Sequence, residues 1–172
     1  AQVNLLDSKG KPTETDVPIT LYDKVSGKIK YNFVHTINNM GNPDTLILDP
    51  LLSYKLVAHT IPPVSIDNIE LTPGKHSIFG VPAPMGNLIL KHPGGIQYRD
   101  LQFIVKKAGS SEILNLQNIE FNERYICGKY DVEILTMPRI KVKDVDIAQS
   151  QTTTLRIPAP GMVTFIKTFT GY

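Results

Sequence analysis

Residues 54–84, YKLVAHTIPPVSIDNIELTPGKHSIFGVPAP, recur without a gap as residues 130–160, YDVEILTMPRIKVKDVDIAQSQTTTLRIPAP. The offset between the copies is 76 residues. Tyr54/Tyr130, Thr60/Thr136, Pro62/Pro138 and the runs Pro82-Ala83-Pro84/Pro158-Ala159-Pro160 are identical. Apolar character is kept at Leu56/Val132, Ile61/Met137, Val64/Ile140, Ile66/Val142, Ile69/Val145, Leu71/Ile147, Phe79/Leu155 and Val81/Ile157. Unrelated windows of this length share roughly two identities by composition, so this is a duplication, and it divides the 172 residues into two units, 1–83 and 84–172.

Within each copy the pattern is that of strands. Tyr130, Val132 and Ile134 alternate with Asp131 and Glu133, and Ile140 and Val142 with Arg139, Lys141 and Lys143. The next apolar pair, Val145 and Ile147, comes one residue out of phase, and the first copy slips identically between Ile66 and Ile69. Such a slip marks either a β-bulge or a strand that changes sheets. Pro62 and Pro138 mark a bend or an edge, because proline cannot donate to a central ladder. Outside the copies, Val17, Ile19 and Leu21 alternate with Pro18, Thr20 and Tyr22, while Ile29, Tyr31 and Phe33 oppose Lys28, Lys30 and Asn32. No window of eleven or more residues carries a helical repeat, and turn residues separate the short runs. The expected fold is all-β, two tandem immunoglobulin-like or prealbumin-like antiparallel sandwiches, with Tyr54 and Tyr130 as inward anchors and Pro82-Ala83-Pro84 as a stiff spacer.

The second unit repeats the first from its start. Asn87–Ile89 answers Asn4–Leu6, and aligning Leu21 with Phe103 gives an offset of 82, so the first unit holds about six extra residues, assigned to INNMGNPD at 37–44. Residues 162–172 either begin a third copy or close the second sandwich.

The 18 basic and 16 acidic side chains leave a net charge of +2, with no basic cluster of the kind a nucleic-acid face shows. No apolar run reaches the length of a membrane span, and no signal peptide is visible. The chain starts at Ala-Gln without Met, which suggests a processed chain or a segment of something longer. A single cysteine, Cys127, excludes an internal disulfide and reads as a buried structural thiol. The histidines His35, His59, His76 and His92 lack the close spacing of a local ligand pair. Asn42-Pro43-Asp44 opens the nearest approach to a calcium loop, but Ile47 and Ser53 stand where an EF-hand needs Gly and Glu. Asp7, Asp23, Asp49 and Asp67 are singly placed, as turn caps are. Glu112, Glu120 and Glu123 do not suggest a paired-carboxylate cleft, and HPGG at 92–95 lacks the Lys-Ser/Thr of a phosphate loop. Sugar platforms use exposed Trp or Tyr; the chain has no Trp, and Tyr98 is the one tyrosine read as loop-exposed. No catalytic, metal or cofactor-binding residue is assigned, no cofactor is expected, and ligand-binding residues are left unassigned.

SGK at 26–28 after ITLYDK, followed by SYKLVAHTIPP and later KYDVEILTMPR, resembles the carboxypeptidase-regulatory-like and prealbumin-like sandwiches, including CnaB and PEGA modules. Ser53 departs from the usual Gly, and Lys129 separates Gly128 from Tyr130. The resemblance implies an accessory module of a bacterial envelope or secreted protein, periplasmic or at the cell surface, such as regions that follow von Willebrand type A domains. It implies a non-enzymatic role in structure or protein interaction, with other domains of the parent chain or another protein as partner. Glycan or peptide recognition through loops is the alternative. The Lys-to-Asn isopeptide bond of some CnaB modules is not expected, since the last strand offers Thr164 and Lys167, and Asn87 lacks an acidic companion.

Overall fold

The structure, a computed structural model, describes residues 1–43, 45–92 and 100–158. Every regular element among them is a strand. The first half supplies β1 (Gln2–Leu6), β2 (Val17–Asp23), β3 (Ile29–His35), β4 (Tyr54–Ala58), β5 (Val64–Ile69) and β6 (Ile78–Pro82). The second supplies β7 (Met85–Lys91), β8 (Gln102–Lys107), β9 (Ile113–Asn118), β10 (Glu123–Ile126), β11 (Gly128–Ile134), β12 (Ile140–Ile147) and β13 (Thr152–Arg156).

They form tandem β-sandwiches. In the first, a four-stranded sheet in the order β3-β2-β4-β5 packs on the pair β1-β6. In the second, β12-β11-β8-β9 packs on β10-β7-β13. Pairing is antiparallel except for β1 with β6 and β7 with β13, one parallel pair at the same place in each sandwich. The alternation read from sequence sets the cores. Val17, Ile19, Leu21, Tyr54 and Leu56 are buried with Val3, Leu5 and Val81 in one, and Phe103, Val105, Tyr130, Val132 and Ile134 with Leu88 and Leu90 in the other. Each such side chain contributes about 1.5–3 kcal/mol by leaving water. Ile29 departs from its predicted face: it sits at the strand end and is exposed, whereas Tyr31 and Phe33 pack inward.

The shared slip is a β-bulge in both copies. Tyr54 opposes Ile69 while Leu56 opposes Ile66, and Tyr130 opposes Val145 while Val132 opposes Val142. Two residues on the outer strand thus answer one on the inner, returning the apolar set to the core side.

Strand register corrects two alignments made from sequence. Leu21 opposes Leu56 as Val105 opposes Val132, so Leu21 corresponds to Val105, an offset of 84. Against 76 for the tyrosines, the first unit therefore carries eight extra residues. They fall after β3, in the region that holds 37–44. At the start, Gln2 opposes Ile78 as Ile89 opposes Thr154, so β1 and β7 align four residues away from the match of Asn4–Leu6 with Asn87–Ile89. Apolar runs of similar length cannot reveal a slide along a parallel pair.

The Pro-Ala-Pro stretch is held on both sides. Pro82 ends β6, the Ala83 amide donates to the Leu6 carbonyl at 2.9 Å, and the Pro84 carbonyl accepts from the Cys127 amide at 2.8 Å. The chain passes straight from one sandwich into β7, and Met85 is buried in the first core. Next to it Gly86 lies so close to β12's end that an added Cβ would overlap the Ala148 carbonyl oxygen. The possible third copy at 162–172 lies outside the described residues.

Candidate functional site

The densest polar constellation lies where the two sandwiches meet. Glu14, on the loop after β1, is 7 % exposed. Its Oε2 pairs with Arg124 Nη2 at 3.1 Å and its Oε1 accepts from Gln149 Nε2 at 3.0 Å. Arg124 Nη1 also donates to the Thr15 carbonyl at 2.7 Å, and Gln149 Oε1 accepts the Ser8 amide at 2.7 Å. One first-unit carboxylate is thus gripped by two side chains of the second unit, each of which also bonds the first unit's backbone. Alongside, the Ile126 amide donates to the Ile61 carbonyl at 2.8 Å. Ile126 packs against the first core and Ile61 against the second.

Local structure explains the placement. The sequence ERYICGKYDVEIL forms two strands. Glu123–Ile126 pairs with β7, the chain crosses between the sheets at Cys127, and Gly128–Ile134 pairs with β8 and β12. The Tyr130 hydroxyl pins this crossing by donating to the Ile126 carbonyl at 2.6 Å. Tyr54 does the same in the first unit, donating to the Asp49 carbonyl at 3.0 Å and accepting its amide at 2.9 Å. In the first unit the matching side of β1 holds only the isolated antiparallel bridge of Thr45 to Gln2, so the strand that carries Arg124 to the joint is one the first unit lacks.

Beside the clamp is a cleft of about 180 Å³ lined by Pro18, His59, Ile61, Met85, Glu123 and Arg124 among others. Two of its polar groups are already engaged: His59 Nε2 lies 2.8 Å from Thr20 Oγ1, and the Arg124 guanidinium is taken by Glu14 and Thr15.

The residues singled out from sequence are scattered. His35 is buried on β3, His76 is exposed, and His92 lies beside Glu120, whose Oε1 accepts the His92 amide at 3.1 Å. Among the described residues no three His, Cys, Asp or Glu side chains are grouped to hold a metal. The turn acids cap turns. Asp7 Oδ1 accepts the Lys9 and Lys11 amides, Asp23 Oδ1 that of Val25, and Asp49 Oδ1 that of Leu51. Asp67 instead pairs with Lys55 at 3.0 Å. The loop amides of Met40 and Asn42 are capped by the Asn38 side chain, and Ile47 is 93 % exposed. Glu112 and Glu123 lie on separate edges, β9's approach and β10. Asn87 pairs across β7 with Arg124 and Thr152. Cys127 is half-buried at the crossing, and burial pushes its thiol above the ordinary value. Asp44, the HPGG residues after His92, Tyr98, Thr164 and Lys167 lie outside the described residues.

Glu14 and Gln149 were missed because both lie in polar turns that differ between the copies. Arg124 gave no signal because its strand has no counterpart.

No protein-family model matches the chain, and no curated protein matches it. Among solved structures, the minor pilin GBS52 of Streptococcus agalactiae superposes with a TM-score of 0.36 at 13% identity over 95% of this chain and 98% of that one. The TIE protein of Bacillus anthracis gives 0.34 at 11% identity, over 91% of this chain and 33% of that one. A leucine-rich repeat protein of Bacteroides thetaiotaomicron gives 0.32 at 10%, over 92% and 26%. Superpositions this loose carry no argument about fold or function. The chain spans about a third and a quarter of the latter two.

Proposed function

We propose that the chain is a non-enzymatic structural or protein-interaction module of a larger bacterial envelope or secreted protein, made of two units, 1–83 and 84–172, that holds neighbouring parts at a set angle. The observation that supports this is the joint: Glu14 gripped by Arg124 and Gln149, with the Ile126–Ile61 backbone bond beside it. A connector bonded on both sides transmits orientation, which a flexible linker does not. Its partners are other domains of the parent chain or another protein, with neither nucleic acid nor a membrane span involved. The carboxypeptidase-regulatory-like or CnaB-like kinship belongs to the same proposal.

A second reading, peptide or glycan recognition, draws support from the first unit's extra loop. Leu46, Leu48 and Leu52 pack inward while Met40, Ile47 and Leu51 are left on the surface. Exposed aliphatic side chains suit a peptide better than a sugar.

Antibodies raised against the chain, applied to fractionated native cells, test the leading reading. The expected result is a band larger than 19.1 kDa in the envelope or secreted fraction, accessible to external protease. A cytosolic species of about that mass overturns it.

A further inference from the structure

A four-stranded sheet has two edges, and each exposes a row of unpaired amides and carbonyls that invites another strand. In this protein most edges are blunted by familiar devices. β12 carries Lys141, Lys143, Asp144 and Asp146 together with a bulge. β5 is bulged and carries Asp67, β3 carries Lys30, β13 Arg156, and β10 Glu123 and Arg124. β6 is interrupted by Gly80 and ends in Pro82, and the free side of β1 is bridged by Thr45 and Glu14.

β9, ILNLQN, is bulged near its start, at Leu114, but has none of the other devices. It holds no charge, proline or glycine, and among the described residues its backbone bonds only to β8. On it and just after it, Ile113, Leu116 and Phe121 are 58 %, 52 % and 65 % exposed.

β9 is also held rigid from inside. By register, Asn115 and Gln117 stand where the first unit has Tyr31 and Phe33. Their side chains close a polar network. Asn115 Nδ2 donates to the Tyr125 hydroxyl at 2.9 Å, which donates to Gln117 Oε1 at 2.7 Å, and Gln117 Nε2 donates to the Leu88 and Phe121 carbonyls at 3.1 and 2.7 Å. A strand fixed this way loses little freedom on docking, so its edge is preorganised for a partner.

We propose that β9 is a self-association edge: two copies of this chain pair antiparallel through β9 about a two-fold axis at Leu116, joining their four-stranded sheets into one of eight strands. The strand's lack of charge selects this occupant. In a two-fold antiparallel pair the central residue faces its own copy, so a charged strand such as β12 would oppose like charges, whereas β9 opposes Leu116 to Leu116 and Asn115 to Gln117. Two-fold symmetry about Leu116 keeps each side chain on its own face of the sheet, and both cores lie on one side. The proposal deepens the protein-interaction reading and rests on it.

Sedimentation velocity of the purified chain between ~1 and ~200 µM tests it, since a single strand pair gives a small, weak interface. The expected result is a monomer at the low end and a dimer at the high end. Leu116→Lys, which sets two ammonium groups against each other on an exposed site, weakens dimerisation at least tenfold with an unchanged circular dichroism spectrum. Leu116→Cys combined with Cys127→Ser yields, on mild oxidation, a covalent dimer bridged 116 to 116 by peptide mapping. A wild-type monomer at every concentration overturns the proposal, as does a dimer that Leu116→Lys leaves intact. A monomer still found in the envelope fraction overturns self-pairing alone and leaves the module reading standing.

Discussion

Two tyrosines recur in the duplication because each works at both ends. The Tyr54 and Tyr130 rings are buried in their cores, and Tyr130 meets Tyr125 edge-on with centroids 5.6 Å apart. Burial pushes the hydroxyls of Tyr125 and Tyr130 up to about 12, so both stay protonated donors over the physiological range. The hydroxyls of Tyr54 and Tyr130 close the corner four or five residues upstream. Tyr130→Phe keeps the packing and loses the bond to the Ile126 carbonyl, which lowers stability by about 1–2 kcal/mol in urea unfolding; an unchanged midpoint would show the corner to be idle. Thr60 and Thr136 recur for a similar reason. Each hydroxyl donates to the carbonyl of the proline two residues on, at 2.6 and 2.7 Å, shaping the bend between strands.

At the scale of the element, the bulge on β12 is tied down by a carboxylate. Asp131 Oδ1 accepts the Asp144 amide and Oδ2 the Gly109 amide, each at 3.1 Å, so one side chain joins the bulge to the turn after β8. Asp144 adopts φ 55°, a left-handed conformation uncommon outside glycine. The two amides, Gly109's first, hold the Asp131 carboxyl below its ordinary 3.8, and on the same face Arg139 and then Lys106 lower Glu133. A carboxyl depressed in the folded state is ionised there while the unfolded chain takes up protons. Its stabilisation is therefore complete at neutral pH and is lost as the pH falls below about 4. Thermal melts from pH 7 to pH 2 should show Tm falling in that window, with a shallower fall for Asp131→Asn; parallel curves for the two proteins would remove Asp131 from the acid response.

For the whole molecule the question is whether two small units behave as one. A domain of this size buries only about 60–65% of its unfolded surface and is marginal alone. The joint's contacts, a buried carboxylate with two partners among them, are lost if either sandwich unfolds, so each unit is stabilised by the other's being folded. We expect one calorimetric transition in the wild type. Arg124→Ala strips Glu14 of its counter-charge, costs about 1–3 kcal/mol once Arg124's partial exposure is allowed for, and separates the transition into two. Two transitions already present in the wild type would refute the coupling.

Local periodicity and the repeat were enough to read the strands, the inward faces of Leu21, Tyr130 and Val132, the shared phase slip and the tandem plan, because each is a relation among residues close in the chain or at one fixed offset. The same reading slid β1 against β7 by four residues, counted six extra residues in the first unit where the register gives eight, and did not show that β10 and β11 lie in different sheets. Those features depend on which strand lies beside which, and apolar runs of similar length are equally content in several registers. The clamp was invisible for a stronger reason. Glu14, Arg124 and Gln149 are separated by 110 and 25 positions and are ordinary surface residues wherever each stands alone. Only the packing of one sandwich on the other removes their water and makes them partners. The bare edge at β9 lies between these cases: its lack of charge is written in ILNLQN, but that it is an edge was decided by the order of strands in the sheet.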